Sequence, residues 1–177
     1  MICYEQASTL AQLEEILSLQ QLNLPTNLTI KEKEQEGFLT VEHSLDFLKE
    51  MNDECPHIIT VEYGKVVGYA LCMHPKFANS IEVLKPMFYE INKVVQNNCN
   101  YMVMGQICVS KEYRGKGVFR GLYKAMKEKI PKGFDTIITE VDAKNQRSLH
   151  AHKAVGFTEL KFYKADNKEW LLLNLAL

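Results

Sequence analysis

The stretch with the most evident chemistry is VSKEYRGKGVFRGLY (109–123), where Gly115, Gly117 and Gly121 alternate with Arg114, Lys116 and Arg120. An apolar run precedes it and a helical pattern follows. A helix that opens just after Gly-Lys-Gly presents unpaired backbone N–H groups and the positive end of its dipole. The glycines remove the side chains that would keep a ligand from those groups, and the basic residues add charge. The combination is an anion cradle suited to a phosphate ester. The Walker spacing G-x-x-x-x-G-K-[ST] is absent, and the glycines run G-x-G-x-x-x-G where the dinucleotide fingerprint needs G-x-G-x-x-G. A dinucleotide-binding oxidoreductase is therefore a lesser alternative, since that fold also wants several βαβ units in succession. A solvated basic loop with no ligand is another.

The elements around the cradle follow from periodicity. ICYEQ reads as a short strand, followed by a helix over about 9–22 in which Leu10, Leu13, Ile16, Leu17 and Leu19 fall at helical spacing. Residues 23–37 are polar, charged and irregular and read as a mobile connection. A second helix is expected over 41–54, stopping before Pro56. Residues 57–75 read as a hairpin turning at Gly64, and a helix is expected over about 81–95, broken or started near Pro86. YMVMGQICV (101–109) is a near-continuous apolar strand. After the cradle come a helix over about 118–130, a strand at 134–141, a helix from Gln146, and a final strand pair turning at 166–168. Strand, cradle, helix and strand form a βαβ unit with a right-handed crossover.

The bulk properties agree with one mixed α/β domain spanning residues 1–177, a length that supports a sizeable core. A formal net charge of −1 gives no basic excess of the kind that binds nucleic acid, and no apolar run is long enough to cross a bilayer. The N-terminal residues lack the order of a signal peptide. Five widely spaced cysteines without a C-x-x-C pair argue against a disulfide framework or zinc site, and for a reducing cytoplasm.

YRGKGVFRGLY resembles the pyrophosphate-binding motif of the GNAT N-acetyltransferase superfamily, R-x-x-G-x-[GA]. EVDAKNQRSLHAHKAVGF resembles that superfamily's second motif, with Asn145, Ser148, His152, Gly156 and Phe157 at its marked positions. One departure is Phe119, which stands where Gly or Ala is usual, with Gly121 two residues later. The resemblance implies a mostly antiparallel central sheet with one splayed parallel strand pair, flanked by helices. It implies acetyl-coenzyme A as cosubstrate, its pantetheine arm bonded along Ile107, Cys108 and Val109 and its diphosphate on Arg114, Gly115, Lys116, Gly117, Val118, Phe119 and Arg120, with Asn145 and Ser148 also on the cofactor side. The exposed arm and diphosphate contacts need main-chain edges and glycine, which these residues supply. Cys108 reads as a core-facing strand residue rather than a nucleophile, because no basic neighbour in sequence lowers its pKa.

The implied chemistry is direct transfer of an acetyl group to a primary amine of a small molecule or peptide, in a cytoplasmic enzyme. A coenzyme A-binding inactive relative is the non-enzyme alternative. An alkylammonium with a pKa of about 10.4 is nucleophilic in only about one molecule per thousand at pH 7, so a base must take its proton. Glu140 and Asp142 lie two apart on one strand and share a side. Glu140 is the candidate base or ammonium anchor, or else a solvent-exposed or helix-paired carboxylate. His152, one turn from Ser148, is the candidate acid toward the departing thiolate, or else a packed histidine. Tyr163 is the alternative acid, or else a packed strand tyrosine. His150 and His152 are two apart, not the i, i+4 of a helical metal pair. Residues 23–40 and 76–100 are expected to shape the acceptor pocket, and the exposed final strands offer pairing edges for a homodimer.

Overall fold

The computed structural model describes residues 1–31, 39–96 and 98–177. Seven strands, β1 (Cys3–Gln6), β2 (Ile58–Glu62), β3 (Lys65–Met73), β4 (Tyr101–Val109), β5 (Thr136–Asp142), β6 (Thr158–Ala165) and β7 (Lys168–Ala176), form one sheet in the order β1-β2-β3-β4-β5-β7-β6. The pairs β1–β2, β2–β3, β5–β7 and β6–β7 are antiparallel, and β4–β5 is parallel. The mostly antiparallel sheet with one parallel pair is the architecture expected. The helices are α1 (Leu10–Gln21), α2 (Leu45–Glu54), α3 (Lys85–Val94), α4 (Val118–Lys129) and α5 (Gln146–Val155). The chain groups into two compact units, Met1–Cys72 with Gly105–Ile130, and Met73–Met104 with Pro131–Leu177.

In the first unit, α1 starts on Thr9, whose side chain accepts from the Gln12 N–H while the Gln12 side chain accepts from the Thr9 N–H. Such a reciprocal cap is worth about 1 kcal/mol. α2 begins at Leu45 rather than at Val41, because Ser44 Oγ accepts from the Phe47 N–H and sets the helix start. The hairpin turns on Tyr63 and Gly64, both at positive φ (51° and 74°), one residue earlier than the Gly64–Lys65 turn expected. Two left-handed residues in succession match the twist of the flanking strands. Of the irregular 23–37 segment, Pro25–Asn27 forms a 3-10 turn, and 32–38 fall outside the described residues.

Residues 41–43 are held by a buried polar network instead of a helix. Gln20 Nε2 donates to His43 Nδ1 and to Gln106 Oε1, each at 2.8 Å, and the His43 N–H donates to Gln20 Oε1 at 2.9 Å. Tyr69 Oη donates to the same Gln106 oxygen at 2.7 Å, and Gln106 Nε2 donates to the Val41 carbonyl at 2.8 Å. Both glutamine amides are thereby used at both ends. This is the condition under which buried polar groups specify a packing rather than weaken it.

α4 buries Val118, Leu122, Tyr123, Ala125 and Met126 and carries Lys127 and Lys129 at its C-terminal, electronegative end. Gly121 is the point of closest approach to β1: a Cβ placed there would stand 2.1 Å from the Tyr4 ring. The third glycine of the sequence motif therefore makes room for Tyr4. Alanine favours a helix over glycine by about 1 kcal/mol, while overpacking costs about 1–3 kcal/mol. Gly121→Ala is accordingly expected to lower stability in the native chain and to raise it in a Tyr4→Ala background. Denaturant titration of the four proteins measures that change of sign, and the same sign in both backgrounds would refute the close approach.

In the second unit the β4–β5 ladder consists of three pairs, Tyr101↔Thr136, Met102↔Ile137 and Val103↔Ile138. Thr139 Oγ1 then donates to the Met104 carbonyl at 3.0 Å, where a further rung would otherwise stand. α3 follows a 3-10 turn at Glu82–Leu84 and has Pro86 in its first turn, where a missing N–H costs nothing. It buries Met87, Phe88 and Ile91. Asn145 caps α5 by accepting the Ser148 N–H at 3.0 Å, and Gly156 (φ 112°) ends it in the left-handed conformation. β6 and β7 turn on Asp166 and Asn167, both at positive φ.

Candidate active site

The first unit carries the cradle. β4 leads into a 3-10 turn at Lys111–Tyr113, and α4 then opens on Gly117 (φ 81°) with no capping side chain. Gly115 and Gly117 both hold positive φ, and nothing lies within 4 Å of where a Cβ on either would stand. The backbone conformation and the open space are thus what an incoming anion needs. Lys116 and Arg120 are exposed beside it, and Val118 is buried beneath. Phe119 packs edge-to-face on Tyr123 at 5.2 Å. The Arg114 side chain is used within the protein: Nε donates to the Val109 carbonyl at 3.0 Å and Nη2 to Asn23 Oδ1 at 2.9 Å. It braces the loop against the end of β4. The Asn23 partner carries no signal in sequence.

Along β4, Ile107 and Val109 are half-buried and Cys108 is buried. Burial pushes the Cys108 thiol up to about 12, so it stays protonated at neutral pH and is no nucleophile.

The second unit brings together two of the three candidate proton-transfer groups. The registers place Glu140 opposite Leu172, and Leu172 opposite Lys161; they place Asp142 opposite Trp170, and Trp170 opposite Tyr163. Directly paired residues share a face, so Glu140, Asp142, Lys161, Tyr163, Trp170 and Leu172 line one side of this part of the sheet. There Tyr163 Oη donates to Glu140 Oε2, across β7. Burial raises the Glu140 carboxyl to about 7 against the smaller, opposing effect of that hydrogen bond. Burial also pushes the Tyr163 hydroxyl well above its usual range, with the Glu140 carboxylate adding to the shift. No cation among the described residues pairs with Glu140. Asp142, by contrast, is a structural cap, its Oδ1 accepting the Lys144 N–H at 2.9 Å.

His152 is held apart from this pair. Gly156, at the end of its helix, lies against Leu175, which alternates onto the sheet face opposite Leu172 and Trp170. The His152 ring packs edge-to-face on Phe157 at 5.1 Å, and Nδ1 donates to the Ser148 carbonyl at 2.8 Å. Burial lowers it to about 4, the carbonyl bond offsetting this in part. A histidine so placed is neutral at pH 7. The depressed value means that its contribution to stability is complete above about 6.5 and is lost as the pH falls toward 4. His152→Phe is therefore expected to lower stability while leaving turnover per folded molecule within about twofold of the parent. Turnover corrected for folded fraction is the measurement, and a hundredfold loss would return His152 to the chemistry.

An open groove of about 630 Å³ lies in the same unit, lined by Glu82, Val83, Lys85, Pro86, Tyr89 and Asp166. No helix among the described residues is long and apolar enough to cross a membrane. No group of three metal-ligating side chains occurs among them either.

These features coincide with a known class. A family model described as acetyltransferase (GNAT) family matches residues 13–157, and the chain belongs to that family. No curated protein matches it. Solved structures share the fold at low identity. The ribosomal-protein-S18-alanine N-acetyltransferase from Escherichia coli is 15% identical, with 99% of this chain and 94% of that chain covered and a TM-score of 0.64. A chain of the NatC complex bound to Gag peptide and CoA is 17% identical over 99% and 98%, with a TM-score of 0.65. The yncA protein of Salmonella typhimurium, solved with its cofactor acetyl-CoA, is 14% identical over 100% and 94%, also at 0.65. Acetyl-CoA is the family's cosubstrate, and the open, positive-φ glycines of the cradle fit its diphosphate.

Proposed function

We propose that the chain is a cytoplasmic N-acetyltransferase, residues 1–177 acting as one catalytic domain that acetylates a primary amine of a small molecule or peptide by direct attack. The observation that supports this reading best is the half-buried Glu140 carboxyl, bonded to a neutral phenol and paired with no cation among the described residues. An ammonium arriving there supplies the missing positive charge, and the carboxylate takes one of its protons. Acetyl-CoA contributes the thioester whose carbonyl the uncharged amine attacks. Gly115, Lys116, Gly117, Val118, Phe119 and Arg120 would hold its diphosphate, with Ile107, Cys108 and Val109 along the pantetheine arm. Arg114 would act through the loop it braces. Asn145 and Ser148 would serve the cofactor side through the capped start of α5.

Tyr163 keeps the proton on the phenol in the ground state and fixes the Glu140 oxygen, which is more than a packing role. The elevated position of Glu140 suits a base at neutral pH, where the best catalytic groups titrate. The groove at 82–89 is read as the acceptor side, consistent with the expectation for residues 76–100. Thiol release from acetyl-CoA across a panel of primary amines, including peptide N-termini and alkyl diamines, tests the proposal. Release with none of them, alongside measurable coenzyme A binding, would favour the inactive relative.

A further inference from the structure

The Glu140–Tyr163 pair lies in a strongly charged part of the molecule. From β6 it is faced by Lys161, one strand pair along from Tyr163 on the same side. Asp142 on β5 points to that side too, with its Oδ1 already used by the Lys144 N–H. From β7 comes Lys168, whose ammonium stands 5.6 Å from the Trp170 ring. From α3 come Glu90 and Lys93, and Asp166 sits at the β6–β7 turn.

Lys161 is the notable member. It occupies the same row as Glu140, separated only by Leu172 on β7. Two strand spacings amount to about 10 Å between Cα atoms, a gap that extended lysine and glutamate side chains span together. An ion pair across that row is within the reach of the two side chains and is not formed. Lys161 Nζ instead lies 2.5 Å from Glu90 Oε2, and the other oxygen of Glu90 takes Lys93 Nζ at 2.7 Å. Both lysine contacts hold the Glu90 carboxyl below its usual range, Lys161 more strongly, so Glu90 stays ionised and retains its lysine.

We propose that Glu90 is a positioning residue that diverts Lys161 from Glu140, keeping the Glu140 carboxyl without a cationic partner until an acceptor ammonium arrives. This rests on the reading of Glu140 as the proton acceptor, but the diversion itself is a property of the resting protein. With Lys161 released, the carboxylate in its own row is Glu140, one oxygen of which the Tyr163 hydroxyl already uses. An opposite charge at contact lowers a carboxyl by about 1–3 pH units. A base so lowered accepts a proton less readily at neutrality, and its lysine competes with the acceptor for the same oxygens.

The test compares the parent, Glu90→Gln, Lys161→Met and the double variant, each with its fold checked by circular dichroism. Glu90→Ala serves as a second release variant in case Gln disturbs α3. The first readout is the titration midpoint of the Glu140 carboxyl by carbon-detected NMR, which needs no activity. Release should lower that midpoint by about 1 pH unit or more, Lys161→Met alone should not lower it, and the double variant should return it to the parent value. The second readout is the pH profile of kcat/KM with the best amine found, whose acid limb should follow the midpoint. A midpoint unchanged in both Glu90 variants, or lowered as much in the double variant as in the single, overturns the diversion. A midpoint that shifts while the acid limb does not would uphold the diversion and refute Glu140 as the base.

Discussion

Glu140→Gln is expected to reduce kcat by about a hundred- to ten-thousandfold while leaving coenzyme A affinity unchanged, because the amide keeps the shape of the carboxyl and cannot accept the ammonium proton. The pH dependence follows from the direction of the shift. Burial raises the carboxyl from 4.5 to about 7, so it is protonated below and ionised above that point. In the parent, kcat/KM should therefore rise with pH through an inflection near 7, and the variant should lose that inflection. The stability effect has the opposite sign. A raised carboxyl favours the fold fully below its unfolded value and loses that contribution as the pH climbs through 7. Removing the titratable group should thus flatten the decline in stability between about pH 4.5 and 7. Rates measured from pH 5.5 to 9 on parent and variant, with unfolding titrations at the same points, check both. An unaltered kcat in Glu140→Gln would exclude it as the base.

Gly117→Val is the second large effect. Gly117 caps α4 at φ 81°, where a β-branched residue is strained, and its side chain would occupy the open space in front of the helix end. A diphosphate kept from the backbone loses charge-assisted hydrogen bonds worth about 1.5–3 kcal/mol each. The loss of one or two of them corresponds to at least a tenfold, and more readily a hundredfold, weaker coenzyme A affinity by calorimetry. Circular dichroism separates this from misfolding. Gly115→Val should act in the same direction, whereas Gly121→Ala, whose cost falls on Tyr4, should change affinity little in the folded protein. If Gly117→Val binds coenzyme A as the parent does, the cradle is not the diphosphate site.

The cradle was legible in the sequence because helix starts, glycines and basic residues act locally. Strand 101–109 and the Asn145 cap were legible for the same reason: each depends on a run of neighbours, and both stand where expected. The start of α2 was not. Residues 41–43 adjoin the helical pattern and read as its first turn, but Val41 and His43 are claimed by Gln20 and Gln106, far away in the chain. Arg114 was legible as a motif member and illegible as a brace, since Asn23 is its partner only in three dimensions. Glu140 and Tyr163 could be named separately from strand parity, but their contact crosses β7 and depends on a register that a β-bulge in β6 has shifted. His152 shows a similar limit. Its ordinary pKa belongs to a solvated imidazole, and only burial in the fold, with Phe157 against the ring, removes the charge.

The Gln20–His43–Tyr69–Gln106 network has a consequence for how this chain can change over generations. Replacing Gln106 by leucine would take a partner from Gln20 Nε2, the Tyr69 hydroxyl and the Val41 carbonyl at once, Gln20 Nε2 keeping its bond to His43 Nδ1. Unmet buried groups cost about 1–3 kcal/mol each, against a typical total stability of about 5–15 kcal/mol, so most single steps away are barred even where the end point is tolerable. Converting the group to an apolar core means passing through such intermediates or changing several positions together. The four side chains are coupled through their shared hydrogen bonds, and the 41–43 segment is tied to them.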